Sequence, residues 1–228
     1  MSIFVFGDVH GCNDELVALL AHIQPSHDDT LIFLGDMIDR GMNSKGVINT
    51  IWAYQQHCQV IAIMGNHEQM LLDAYHDRYY LKYWLKFGGD STLRSFGLTA
   101  DLHGLLALPK PYVSWLKNLQ PYYENDHFIF SHATPDPYLN MNKQGENELR
   151  WRLINPSDPP HLSGKTIICG HTSQKSGQVY QQHGLIGIDT YAYGGGYLSA
   201  LEISTNEQSL SVWQMSTTLV LQRQKLTL

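Results

Sequence analysis

Three short strings set acids, an amide and imidazoles at fixed points in the first third of the chain. They read Gly7-Asp8-Val9-His10-Gly11, Gly35-Asp36-Met37-Ile38-Asp39-Arg40-Gly41 and Gly65-Asn66-His67-Glu68. Two isolated histidines follow, His132 in Phe130-Ser131-His132-Ala133 and His171 in Cys169-Gly170-His171-Thr172. Divalent cations take oxygen and nitrogen ligands from separate elements of a fold, so the set reads as a cage for two ions. Asp8, His10 and Asp36 would surround the first ion, and Asp36, Asn66, His132 and His171 the second, with Asp36 shared. Two ions ~3.5–4 Å apart acidify a bridging water and stabilise charge on the attacking and leaving oxygens of an in-line displacement. His67 directly follows a ligand and suits a general acid that protonates a departing alkoxide, with Asp39 orienting its ring. Arg40 offers a planar fork for phosphate oxygens.

The elements that must position these residues are legible around them. Each string follows an apolar, mostly β-type run: Ile3 to Phe6, Leu31 to Leu34 (the strand opening at Thr30) and Val60 to Met64. Strand ends are where open α/β sheets place their sites. Leu16, Leu19, Leu20 and Ile23 make a helix stripe, with Asn13 as its N-cap and Asp14 and Glu15 in the first turn. Val47, Ile48, Ile51 and Trp52 make a second stripe, and a third helix covers roughly His67 to Tyr80. This βαβαβ order predicts a parallel first sheet.

From Tyr79 to Gln120, aromatics and a Gly88-Gly89 break suggest short helices capping a cleft, one of them running from Tyr112 to Leu119 between Pro111 and Pro121. The cluster from Tyr79 to Trp84 reads as packing within that cap in preference to a substrate stack. Later strands are expected at Phe128 to Phe130, Thr166 to Cys169, Gln178 to Tyr180, Leu185 to Ile188, Tyr197 to Ile203 and Ser209 to Met215. A polar, proline-rich surface loop from Thr134 to Pro160 carries a short helix around Glu146 to Leu153. The expectation is one α/β domain over residues 1–228 with a cap-like insertion at about 79–120, built as two sheets packed face to face with helices outside.

The five blocks, in this order, resemble the metallophosphoesterases, and within them the small bacterial and phage-type members of the phosphoprotein phosphatase branch. The likeness runs from about Phe6 to Ala200 and takes in Gly88-Gly89-Asp90 and Ile188-Asp189-Thr190. It implies a four-layer α/β/β/α sandwich, hydrolysis of phosphomonoesters by a metal-bridging hydroxide, and usually Mn²⁺. The mixed donor set also suits Fe, Zn²⁺ or Ni²⁺. Phosphoserine and phosphothreonine in proteins are the implied substrates, with phosphotyrosine and small aryl phosphates beside them. Phosphate would be held by Arg40, Asn66 and a second arginine, for which Arg152 in Leu149-Arg150-Trp151-Arg152 is preferred to Arg150. Thr134 and Tyr191 stand where relatives often carry glycine, and Tyr191 could bring a ring near the cleft.

A dinucleoside polyphosphate hydrolase of the same superfamily is the alternative. Those relatives often lack the Asp of Asp-Arg-Gly and carry Gly-Asn-His-Asp, so Asp39 and Glu68 favour the phosphoprotein type. A silent module that only binds phosphorylated partners should have lost a ligand or the Asp39–His67 pair, and none is lost.

Bulk properties narrow the classes further. A net charge of −6 and a pI of about 6.0 argue against a nucleic-acid face. No apolar window approaches the ~18 residues of a membrane span, and the N-terminus runs straight into the first motif without a leader pattern. Cys12, Cys58 and Cys169 read as reduced thiols of a cytoplasmic protein. The other histidines (His22, His27, His57, His76, His103, His127, His161 and His183) are assigned surface or packing places, and the oligomeric state is left open.

Overall fold

Apolar β-type runs alternating with amphipathic segments produce two mixed sheets with helices outside them. The computed structural model describes residues 1–182, 184–204 and 209–226, so His183 lies outside the described residues. The strands are β1 (Ser2–Phe6), β2 (Thr30–Phe33), β3 (Gln59–Ala62), β4 (Tyr122–Glu124), β5 (Phe128–Ser131), β6 (Thr166–Cys169), β7 (Tyr180–Gln182), β8 (Leu185–Gly187), β9 (Tyr197–Ser204), β10 (Leu210–Ser216) and β11 (Leu221–Leu226). The first sheet has the order β11-β10-β9-β1-β2-β3 and the second β4-β5-β6-β8-β7. As expected, β1, β2 and β3 run parallel, with Phe6 opposite Phe33 and Phe33 opposite Ala62. Beyond β1 the sheet turns antiparallel through β9 and β10. In the second sheet β5, β6 and β8 are parallel between antiparallel edges.

Period-two alternation decides what each face buries. Val5, Ile32, Leu34 and Ile61 point between the sheets onto Phe130, Ile168 and Ile186. Phe4, Phe6 and Phe33 point outward onto Leu16, Leu19 and Leu20 of α1 (Asn13–Ile23) and Val47 and Ile51 of α2 (Ser44–Tyr54). Each of these fully buried side chains is worth about 1.5–3 kcal/mol of transfer energy, which fixes the register of the motif-bearing strands. Outside the second sheet, Ile129, Ile167 and Cys169 are covered by Met141 and by Leu149 of α8 (Glu146–Trp151). The layers are therefore α/β/β/α.

A third apolar cluster lies beside the sheets. It joins α3 (Asn66–His76), α4 (Leu81–Trp84), α5 (Asp90–Ser95), α6 (Leu102–Leu106) and α7 (Lys110–Lys117) through Met70, Leu71, Trp84, Leu93, Leu105 and Leu116.

Several boundaries differ from expectation for local reasons. Asn13 is the first helical residue and not the cap. Cys12 holds the cap position, and the Asn13 side chain instead accepts from Thr50 Oγ1 at 2.8 Å, tying α1 to α2. The third helix stops at His76 because Asp77 is extended, and a 3₁₀ turn covers Arg78–Tyr80. Pro111 sits inside the first turn of α7, where its missing N–H costs nothing, so that helix is shifted two residues earlier. The strand expected at Gln178 to Tyr180 begins at Tyr180. Edge strands β4 and β11 carry too little apolar sequence to be legible. The aromatic cluster also divides. Trp84 is fully buried, but Tyr79, Tyr80 and Tyr83 are 81%, 46% and 48% exposed, so the tyrosines do not pack within the cap.

Candidate active site

Strands β1, β2 and β3 of one sheet and β5 and β6 of the other end at one edge of the sandwich. There they deliver the five motif blocks. The loops turn sharply after each strand. His10, Asp36, Asp39, Arg40 and His171 all hold positive φ, between 44° and 71°. Such a conformation costs a non-glycine residue roughly 1–2 kcal/mol, so it persists only where neighbours over-determine it. The first two loops are laced together by backbone bonds from His10 to Asp36 (2.8 Å), Gly11 to Met37 (3.1 Å) and Gly41 to His10 (2.9 Å). Glu68 completes the lacing. Its buried carboxylate accepts from the N–H groups of Gly65 (3.0 Å), Asp36 (2.9 Å), Met37 (2.8 Å) and Ile38 (3.3 Å). This anchor was not legible beyond its presence in the third string.

Ring tautomers show what the histidines can offer. His10 Nδ1–H donates to Ile38 O (2.8 Å), His132 Nδ1–H to Leu34 O (3.0 Å) and His171 Nε2–H to Trp151 O (3.1 Å). A carbonyl only accepts, so each ring's other nitrogen carries a lone pair. Those lone pairs converge. His132 Nε2 and His171 Nδ1 lie 2.8 and 3.1 Å from the same oxygen, Asn66 Oδ1. His10 Nε2 and His132 Nε2 each lie 3.4 Å from opposite oxygens of Asp36. Acceptors facing acceptors at such distances repel, and a cation among them turns the repulsion into coordination.

Burial pushes His10 and His171 below their usual range and His132 down to about 4, the neutral ligand form. Burial and the charges of Asp189 and Asp36 push the Asp8 carboxyl well up, a crowding of negative charge that a cation offsets. The donor set fits a divalent pair on either side of Asp36. Ligand atoms of Asp36, His132 and His171 lie within 4.8 Å of one another, as do those of His10, Asp36 and His67. The motif reading puts Asp8 in the second of these groups. Its carboxylate also accepts from His171 N–H at 3.1 and 3.2 Å, reaching across from one sheet to the other.

Beside this cage stands a buried acid–imidazole pair. His67 Nδ1–H donates to Asp39 Oδ2 at 2.8 Å, and His67 Nε2 is a buried nitrogen with no hydrogen-bond partner among the described residues. Burial disfavours the protonated ring, but Asp36 and the bond to Asp39 outweigh it and raise the His67 pKa. Asp39 is itself fixed from the α4–α5 segment, a contribution the sequence did not reveal. Trp84 Nε1–H donates to Oδ2 (2.8 Å) and Thr92 Oγ1–H to Oδ1 (2.7 Å), while Thr92 and Ser44 hydroxyls accept from the Asp39 N–H. Thr92→Val keeps the shape and removes the hydroxyl. It is expected to cut kcat about 10- to 100-fold, the usual scale for a partner one step from the working residue, and Thr92→Ser should restore most of it.

Arg40 is held in the same way. Its N–H donates to Gly88 O (3.2 Å) and its guanidinium lies 4.5 Å over the Tyr193 ring, which also packs edge-on against His10. Gly88 has φ 106°, and a Cβ there would stand 2.6 Å from Arg40 N. Gly88→Ala is therefore expected to cost about 1–3 kcal/mol of stability and to weaken inhibition by inorganic phosphate, read by thermal melts and competition assays.

Not every expected residue joins the cluster. Arg152 Nη1 binds Asp158 (2.7 Å) and Pro135 O (3.2 Å), and Arg150 pairs with Glu146 at 3.3 Å. Neither guanidinium contacts the cage among the described residues, because the chain leaves α8 at Arg152 and carries that side chain onto the proline-rich loop. Tyr191 packs behind Tyr193 at 4.8 Å, so the ring that meets His10 and Arg40 is Tyr193. Thr134 is buried against Cys169. Burial pushes the Cys12 and Cys169 thiols up to about 12, which leaves them inert. No helix among the described residues is long and apolar enough to cross a membrane.

Strand-end carboxylate and imidazole donors, a buried acid–imidazole pair and an adjacent arginine define a metal-dependent phosphoester hydrolase. The model of the calcineurin-like phosphoesterase family matches residues 1–175, and the chain belongs to that family. It is similar to serine/threonine-protein phosphatase 2 of Salmonella typhimurium, with 29% identity over 221 residues that cover 88% of this chain and 92% of the other. A shorter match, 42% identical over 77 residues, covers 33% of this chain and 25% of a symmetrical bis(5'-nucleosyl)-tetraphosphatase from Yersinia enterocolitica. The fold is like that of the cold-active protein-tyrosine phosphatase of a psychrophilic Shewanella species. That structure superposes with a TM-score of 0.68 at 18% identity, covering 99% of this chain and 80% of that one.

Proposed function

We propose that the chain hydrolyses phosphomonoesters, with phosphoserine and phosphothreonine of proteins as its main substrates, and that phosphotyrosine and small aryl phosphates are taken as well. The observation that carries this reading is the buried Asp39–His67 pair, whose Nε2 has no hydrogen-bond partner among the described residues and lies 3.9 Å from Asp36 Oδ2 in the cage. Two divalent ions, Mn²⁺ the first candidate, would be held by Asp8, His10 and Asp36 on one side and by Asp36, Asn66, His132 and His171 on the other. When bound they stabilise phosphoryl charge and acidify the attacking water. Arg40 and Asn66 grip the phosphate oxygens. His67 gives its Nε2 proton to the leaving oxygen, and Asp39 keeps the ring charged and aimed. Residues 79–120 act as a helical cap within a single domain, and the three free cysteines accord with a reducing cytoplasm.

The 42% match favours a second reading, cleavage of dinucleoside polyphosphates. There the leaving group is a phosphate, which departs without help, so an Asp–His proton donor has less to do. A metal-by-substrate matrix on the apo-protein separates the two. We expect Mn²⁺-restored turnover on a phosphoserine peptide and an aryl phosphate to exceed turnover on diadenosine tetraphosphate. Efficient cleavage of the dinucleotide with neither monoester turned over would contradict the proposal.

A further inference from the structure

The outer face of the cap carries a feature that the reaction above leaves unused. Tyr79, Tyr80, Tyr83 and Phe87 are all more than a third exposed within nine residues of sequence, a concentration that marks contact with a partner more often than chance. Tyr80 and Tyr83 are shared by two adjoining open hollows. One, of about 380 Å³, is also lined by Gln69, Asp73 and Trp151, and the other, of about 520 Å³, by Lys82 and Lys86. Trp151 links this trough to the cage. Its carbonyl accepts from His171 Nε2 at 3.1 Å, and its ring lies 6.4 Å from the His171 ring.

Size, ring geometry and charge say what fits. From Tyr79 to Lys86 the helical segment advances about 10 Å, the length of three extended residues. The ring pairs meet at 88° (Tyr79–Tyr80) and 51° (Tyr83–Phe87), so no parallel pair forms a slot for a purine base. Lys82 and Lys86 place two positive charges at the outer end of the trough, on a chain whose net charge is −6.

We infer that this trough holds the residues flanking the phosphorylated residue of a protein substrate, apolar side chains lying on Tyr80 and Tyr83 and acidic ones meeting Lys82 and Lys86. The inference rests on the phosphomonoesterase reading of the cage and deepens it by saying where, and by what chemistry, the residues beside the phosphorylated one are recognised.

Steady-state kinetics of the metal-loaded enzyme test it with three substrates: p-nitrophenyl phosphate, a phosphoserine peptide with acidic flanks, and the same peptide with lysine flanks. The wild type should favour the acidic peptide about fivefold or more in kcat/KM, the scale of two exposed ion pairs. The double variant Lys82→Glu/Lys86→Glu should reverse that preference. Tyr80→Ser/Tyr83→Ser should raise KM for both peptides about tenfold while kcat and turnover of p-nitrophenyl phosphate stay unchanged. Peptide KM values indifferent to both double variants would overturn the trough alone, leaving the reaction intact. Equal losses on the aryl phosphate and the peptides would also overturn it, since the cap would then act on catalysis and not on recognition. A wild type that turns over the aryl phosphate but neither peptide would overturn the protein-substrate reading and the trough together.

Discussion

His67→Asn is expected to lower kcat on a phosphoserine peptide by about 10³-fold, within the usual range for losing a general acid. The same variant should lose far less on p-nitrophenyl phosphate. A serine alkoxide is a poor leaving group and needs a proton as the bond breaks, whereas a nitrophenolate stabilises its own charge. In the proposed reaction His67 supplies that proton, with Nδ1 committed to Asp39 and Nε2 without a hydrogen-bond partner among the described residues. The charge of Asp36 and the bond to Asp39 raise the His67 pKa against the effect of burial. The ratio of the two substrates' losses is the measurement. Equal losses would mean that His67 serves metal or phosphate binding and not proton transfer. Asparagine fits the same space, and a retained melting temperature would exclude a folding cause.

Asp36→Asn is expected to be at least as damaging, on the order of 10³-fold or more, because several kcal/mol of charge stabilisation go with a misplaced cation. Asp36 has more partners in the cage than any other residue described. Its two oxygens face His10 and His132, and Oδ1 also accepts the His67 backbone N–H at 3.0 Å. Burial alone would raise its pKa, but charge on the surrounding imidazoles of His132, His67, His10 and His171 lowers it, and of these His67 is the ring whose own pKa is raised. The amide removes the carboxylate charge while keeping an oxygen for the His67 N–H, so the loops should stay folded. Elemental analysis after dialysis against Mn²⁺ should find fewer ions per chain than in the wild type. An unchanged metal content with unchanged turnover would remove Asp36 from its shared position.

Much of the candidate site could be read from the sequence because the donors proposed for it are local. Asp8, Asp36, Asn66, His132 and His171 each sit within a few residues of an apolar strand, and strand order alone predicts that three of those strands lie parallel. What could not be read depends on contacts across long stretches of chain. Trp84 and Thr92 reach Asp39 across separations of 45 and 53 residues, and neither residue type announces itself as a partner of a carboxylate. Glu68 stood in plain view, but its four backbone donors appear only once the second and third loops have folded against each other. Arg152 lies apart from the cage for a similar reason. Its neighbours in sequence suggested the cleft, whereas the turn after α8 gives it to Asp158. The exposed residues Tyr79, Tyr80 and Tyr83 are the opposite case, since apolar character predicted burial and the helical segment presents them to solvent.

Anomalous diffraction from Mn²⁺-loaded crystals tests the central claim most directly. Two peaks ~3.5–4 Å apart on either side of the Asp36 carboxylate are expected, with His132 and His171 on one and His10 on the other. A single peak, or none, in fully loaded and active protein would contradict the account.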